Sequence, residues 1–294
     1  MTNPLFFELP DLINLKKETL STALPTGKKW TYSGIGQSPS LFKSRGLNFQ
    51  EVRQYQPGDD IRQIDWRVTA KYGKPFTKLY EEEKERQVYI LCDLRKPMHF
   101  ASQGHFKSIM AGRLAALCGF MAENKNDTLG FQILTDKIIS FPFEAAQEIL
   151  PHFLNQLSQN DINDSEVSFN ALFPFISQVL HSGAILFFFS DFHDVGEKDM
   201  ETLGRFSRKN TVSFIHLYDP LEINMPLGVF PCSNGRENIL INTQEKTFKT
   251  EFQDSWQRKT TLLRKAIQKY NMGYLPLSTN SDYISQFKHF CLGE

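Results

Sequence analysis

Four short apolar segments, set apart by helical patterns, restrict the fold of this chain more than any other feature. They read QVYILCD (87–93), TLGFQILT (128–135), AILFFFSD (184–191) and TVSFIHLYD (211–219). Runs so short and so apolar suit strands buried on both faces, which occur where helices cover both sides of a sheet. Between the first two, HFKSIMAGRLAALCGFMAE places Phe106, Ile109, Met110, Leu114, Leu117, Cys118 and Met121 at helical spacing. EAAQEILPHFLNQL and SFNALFPFISQVLHSG also read as helices, with Pro151 expected to kink or divide the first and Gly183 placed to end the second. KIISFPF is a short strand beside TLGFQILT, EKDMETLGRFSRK a helix, GYLPL a strand, and a last helix starts near Ser281. Strands alternating with helices predict an α/β fold with a mostly parallel sheet flanked by helices, over residues 86–294.

Two regions break the alternation. Residues 219–255 carry turn signals between runs of strand character and read as an inserted β hairpin or meander, followed by a helix over 256–271. Residues 1–85 read as an N-terminal helix (5–24) and a β-rich extension, in which RVTAKYGKPFTKLY suggests a strand pair with its lysines outward. The extension contains PGDDIRQIDW. Pro57-Gly58 suits the centre of a tight turn, and Asp59 or Asp60 can cap a helical turn starting at Ile61. Arg62 and Asp65 lie three apart, where side chains can meet. Trp66 is expected to anchor this piece as a buried clasp; the sharper alternative is a docking surface formed by Gly58, Asp59, Asp60, Arg62, Asp65 and Trp66.

Charge and motifs remove several function classes. Lys+Arg and Asp+Glu both number 33, so the net charge is zero and a general nucleic-acid binder is not expected. Cys92, Cys118, Cys232 and Cys291 include no CxxC pair, which suits buried thiols in a reducing compartment. The N-terminus lacks a signal-peptide pattern and the longest apolar run, AILFFF, is too short to span a bilayer, so the expected location is the cytoplasm. No phosphoaspartyl pair, G-x-S-x-G elbow or Walker A loop is present, and SGIGQSPS (33–40) neither follows a clear strand nor opens a helix. The acidic run within KLYEEEKERQ reads as a solvated face.

The stretch GLNFQEVRQYQPGDDIRQIDWRVTAKYGKPFTKLYEEEKE, followed by a strand ending in Asp93, closely resembles the domain-of-unknown-function 58 family. FFFSDFHD through YDPLE (187–222) supports the resemblance. Members are similar to von Willebrand factor A domains and are often encoded beside AAA+ ATPases of the MoxR type. The resemblance therefore implies a factor-A-like (Rossmann-like) sheet and a non-enzymatic adaptor. Such an adaptor would work with a MoxR-type ATPase on an unknown client protein.

A factor A domain builds a magnesium site from D-x-S-x-S after the first strand, a threonine from a later loop and an aspartate after the fourth strand. Here the first motif reads Asp93-Leu94-Arg95-Lys96-Pro97, the threonine loop matches NDSEVSFNAL with Ser165 or Ser168, and the last aspartate matches Asp191. Arg95 and Pro97 occupy the two hydroxyl positions, and a guanidinium beside two carboxylates opposes a divalent ion. The site thus reads as degenerate, with Arg95 paired to Asp93 or Asp191 and no magnesium expected. His99, His105 and His193 leave a transition-metal site as the alternative. The rim of Arg95, Lys96, His99, Ser165, Asp191, His193 and Asp194 is the expected partner-binding edge. A metal-dependent ligand-binding module and a nucleic-acid-associated protein remain the rival functions.

Overall fold

The computed structural model describes residues 7–19, 24, 45–57, 59–83, 85–159, 167–233, 238–244 and 246–292. The chain divides into two units: Met1–Gln37 with Gln87–Glu294, and Ser38–Arg86.

The larger unit is a six-stranded sheet in the order β10-β7-β6-β3-β4-β5. Its strands are β3 (Gln87–Asp93), β4 (Thr128–Leu134), β5 (Ile138–Ala145), β6 (Ile185–Ser190), β7 (Thr211–Tyr218) and β10 (Gly273–Ser278). All neighbours run parallel except β5, which returns antiparallel to β4. Alternation sorts the strand residues between two cores. Val88, Ile90, Phe131, Phe187 and Phe189 pack with α3 (Lys107–Glu123), α4 (Ala146–Ser158) and α9 (Tyr283–Leu292). Tyr89, Leu91, Leu186, Phe188 and Phe214 pack with α5 (Phe173–Val179), α6 (Glu197–Ser207) and α8 (Lys246–Tyr270). From β3 the chain steps to β4 on one side, whereas β6 pairs with β3 on the other. The strand order therefore reverses between β3 and β6. A crevice at the carboxyl ends of two such strands is where α/β sheets bind ligands.

Several boundaries differ from expectation. The N-terminal helix is α1 (Leu9–Asn14) followed by a 3-10 turn over Leu15–Thr19. It belongs to the α/β unit rather than to the extension, because Leu12 and Leu15 join the first core. Helix α4 runs unbroken through Pro151, whose exposed position lets solvent meet the carbonyl that proline leaves unpaired. The 219–255 insertion reduces to a short helix α7 (Pro220–Ile223) and a hairpin of β8 (Val229–Ser233) and β9 (Asn238–Asn242). The helix expected from residue 256 is α8, which already starts at Lys246.

In the smaller unit β1 (Arg45–Gln54) pairs antiparallel with β2 (Phe76–Glu83). The expected strand pair over 67–80 is replaced in its first half by helix α2 (Trp66–Tyr72). Arg67 and Lys71 follow at a spacing of four, the helical period, which a reading by alternation misses. Asp65 caps α2 by accepting from the backbone N–H of Arg67 (3.0 Å) and of Val68 (3.1 Å), and Gly73 ends it at φ 67°. Asp60 accepts from Arg62 N–H at 2.9 Å, the expected cap of the 3-10 turn Ile61–Gln63. Asp59 instead accepts from Gln56 N–H (2.9 Å) and Arg53 Nη2 (2.7 Å). Gly58 lies outside the described residues. Trp66 is 68% exposed, so the buried anchor expected at this position is absent. Accordingly, Trp66→Ala should leave stability within about 0.5 kcal/mol of the parent. Asp65→Ala should cost about 1 kcal/mol through loss of the cap. Urea melts check both, and a large loss in the tryptophan variant would show that the side chain is buried after all.

Candidate functional site

Three aspartates lie at the carboxyl ends of parallel strands, and each is satisfied from within the protein. Asp93 closes β3 and is fully buried. Its Oδ1 accepts from Arg95 N–H (3.1 Å) and Arg95 Nε (3.0 Å). Its Oδ2 accepts from Arg95 Nη2 (2.8 Å) and Ser190 Oγ (2.7 Å). A carboxylate offers about four acceptor positions, so Asp93 is saturated.

Arg95 is equally complete. Beyond Asp93, its Nη1 donates to Asp194 Oδ2 (2.6 Å) and to the Val167 carbonyl (3.0 Å), and its Nη2 to Asp194 Oδ1 (2.9 Å). All five guanidinium N–H groups are used, in a side chain only 4% exposed. Burial opposes the charge, but the hydrogen bonds to Asp93 and Asp194 outweigh it and hold the pKa above its ordinary value. Asp194 also accepts from Phe169 N–H at 2.8 Å, so this one cluster ties β3, the loop after β6 and the start of the turn before α5. Burial pushes the Asp194 carboxyl up, but hydrogen bonds from Arg95 prevail and its pKa is lowered.

Asp191, one residue beyond β6, has a different cation. Lys107 Nζ donates to Asp191 Oδ2 (2.8 Å) and to Glu222 Oε1 (2.5 Å). Lys107 is 1% exposed. Burial favours its neutral form, yet the charges of Asp191 and Glu222 dominate and its pKa is raised. Asp191 Oδ1 accepts from His193 N–H (3.1 Å) and lies 2.9 Å from His193 Nδ1, a hydrogen bond in the tautomer protonated there. Against the cost of burial, Lys107 and His193 hold the Asp191 carboxyl well below the carboxylate range. The same hydrogen bond outweighs burial at His193 and raises its pKa. Asp219, at the end of β7, accepts from Ser102 N–H and Oγ and from Thr279 Oγ1, each at 2.7 Å.

The expected site residues thus come together only in part. Arg95 pairs with Asp93 as expected, but its second partner is Asp194 and not Asp191. Because Arg95 is buried and saturated, it is not a contact residue of the rim. Lys96 and Pro97 form a 3-10 turn over Lys96–Met98. His99 uses both ring nitrogens internally, Nε2 at 3.0 Å from the Leu94 carbonyl and Nδ1 at 3.1 Å from Ser108 Oγ. His105 packs edge-on to Tyr283, 5.8 Å between ring centres. Ser168 bonds Asn170, and Ser165 lies outside the described residues. His105 and His193 are the exposed histidines of this group, the His193 side chain being 38% accessible. The residues of the PGDDIRQIDW segment belong to the smaller unit.

Sequence reading misses Lys107, Ser190 and Glu222. A lysine opening the helix KSIMAGRLAALCGF, which is apolar but for Ser108 and Arg113, is the available signal for the first. It also misses His216 and Lys259. His216, fully buried on β7, bonds Tyr274 OH through Nδ1 (2.8 Å) and stacks on Trp256. Burial, reinforced by Lys259, lowers its pKa to about 3, so it is neutral. Among the described residues no group of three or more His, Cys, Asp or Glu could hold a metal ion.

The family model described as protein of unknown function DUF58 matches residues 51–261. An uncharacterised protein of Mycobacterium tuberculosis is 30% identical over 95 residues, 32% of this chain and 30% of that protein. Uncharacterised protein YeaD of Bacillus subtilis is 23% identical over 153 residues, 52% of this chain and 36% of YeaD. The matches span about a third of these relatives' length. Among solved structures, the conserved hypothetical protein BatB from Bacteroides thetaiotaomicron superposes on 70% of this chain and 96% of its own, at TM-score 0.42 and 13% identity. An aerotolerance-related membrane protein from Bacteroides fragilis covers 70% of this chain and 98% of its own, at TM-score 0.40 and 13% identity. No helix among the described residues is long and apolar enough to cross a membrane.

Proposed function

We propose the following reading for a chain that belongs to the DUF58 family of proteins of unknown function: it is a factor-A-like, non-enzymatic interaction adaptor. It works with a MoxR-type AAA+ ATPase in assembling or remodelling another protein. The observation that carries this reading is the saturation of Asp93 and Arg95 at the carboxyl ends of β3 and β6. Magnesium needs an octahedral oxygen shell, and here the oxygen atoms that would supply it are already bound to N–H and O–H donors. The buried guanidinium and the Lys107 ammonium stand beside the two carboxylates that a factor A domain would give to its ion. With that ion's place taken, recognition of a partner falls to direct side-chain contacts. The choice of an ATPase as partner rests on the resemblance to the family.

The test is a calorimetric titration of the full chain with a MoxR-type ATPase from the same cell, with and without EDTA. A stoichiometric complex indifferent to EDTA is expected, and magnesium, manganese and zinc alone should show no saturable binding below millimolar concentration. Absence of a complex would overturn the adaptor reading. A complex dissolved by EDTA would favour a metal-dependent module instead.

A further inference from the structure

We propose that the exposed segment of the smaller unit carrying Ile61, Arg62, Trp66, Arg67, Lys71 and Tyr72 docks an acidic segment of the partner protein. This rests on the adaptor reading and names the surface and the chemistry it selects.

Three large apolar side chains stand in solvent along this short segment: Ile61 at 64%, Trp66 at 68% and Tyr72 at 62% exposure. Their backbone is nevertheless tightly held. Asp60 and Asp65 cap the two helical turns, Asp65 N–H donates to the Phe76 carbonyl at 2.8 Å, and Thr69 Oγ1 accepts from Phe76 N–H at 3.0 Å. A segment that fixes its backbone yet leaves a tryptophan in water loses little entropy when it meets a partner. Tryptophan, tyrosine and arginine are also the residue types that dominate interface energetics.

The charges say what kind of partner fits. Arg53 in the same unit is paired with Asp59 at 2.7 Å. The exposed guanidinium groups of Arg62 and Arg67 have no carboxylate within ion-pair distance among the described residues. Arg67 and Lys71 are one helical turn apart on α2, and Lys71 Nζ stands 5.5 Å from the Tyr72 ring. Cations of this kind around aromatic anchors complement carboxylates that alternate with apolar side chains. Nucleic acid fits less well, because this segment offers few cations and the chain as a whole has a net charge of zero.

The test places the photocrosslinker p-benzoylphenylalanine at Trp66 in one full-length chain and at His193 in another, and irradiates each in the native cell. Crosslinked peptides are mapped by mass spectrometry. Capture at Trp66 is expected, mapping to an Asp/Glu-rich segment of another protein. Adding Arg67→Glu with Lys71→Glu should reduce it roughly tenfold or more, with the melting temperature unchanged. Capture at His193 alone, a non-acidic target segment, a crosslink within the same chain, a crosslink to nucleic acid, or capture indifferent to the charge reversal would each overturn this surface while sparing the adaptor reading. Capture at neither position would overturn both. If the reversal lowers the melting temperature, a second chain replaces it. That chain carries the crosslinker at exposed Ala70, one helical turn from Trp66, with and without Trp66→Ala. Loss of capture on removing the tryptophan supports the surface, and undiminished capture overturns it.

Discussion

Arg95→Met should lower the free energy of unfolding by about 3–5 kcal/mol, because it strands buried carboxylates without their cation. Asp93 is fully buried and would keep only Ser190 Oγ and the backbone N–H of residue 95 as donors. Asp194 would keep Phe169 N–H. Charge reversal at Arg95 should be worse still, so this position cannot serve as a surface probe of partner binding. Equilibrium urea melts decide the matter: a variant as stable as its parent would mean that the guanidinium does not hold these carboxylates together. Adding Asp93→Asn to the Arg95→Met chain should cost less than Asp93→Asn alone, since a neutral amide no longer needs the cation.

Lys107→Met should cost a similar 3–5 kcal/mol, roughly, since it keeps most of the length of the side chain and removes the charge. Asp191 would then rely on His193, and Glu222 would lose its 2.5 Å partner. An unchanged midpoint of denaturation would rule the buried ion pair out. The pH dependence follows from the signs. Asp191 and Asp194 have folded pKa values below their unfolded ones. Their contribution is therefore complete above the ordinary carboxylate value of about 3.9 and is lost as pH falls through the lowered folded values. Lys107 has a raised folded pKa, so its contribution is complete below the ordinary lysine value of about 10.4 and is lost as pH rises beyond it. The parent should lose stability at both extremes, and Lys107→Met should flatten the alkaline limb.

Much of the fold is legible in the sequence because it is written at short range. The apolar runs at β3, β4, β6 and β7 need only their length and composition to be read as buried strands, and the antiparallel return of β5 follows from the short connection after β4. The helices between them announce themselves by period. The reading fails where two periods compete. Arg67 and Lys71 fit a helix, while the threonine and aromatic content of the same stretch favours a strand; the Asp65 cap and Gly73 decide for the helix. The start of α8 is hidden because Lys246–Ser255 is polar enough to pass for the end of the insertion.

The site divides in the same way. That Arg95 would meet Asp93 can be read from the chain, since the two are separated by one residue and the guanidinium folds back on the strand end. Sequence alone also determined that Asp93 and Asp191 stand at the ends of buried strands, and hence at one edge of the sheet. It could not determine which cation each would receive. Asp194 reaches Arg95 across 99 positions and Lys107 reaches Asp191 across 84. Such pairings depend on strand order and on where a helix enters the sheet, and Coulomb attraction and desolvation act through space rather than along the chain. The exposure of Trp66 is of the same kind: a tryptophan's apolar area predicts burial, but only the packed backbone decides whether anything covers it.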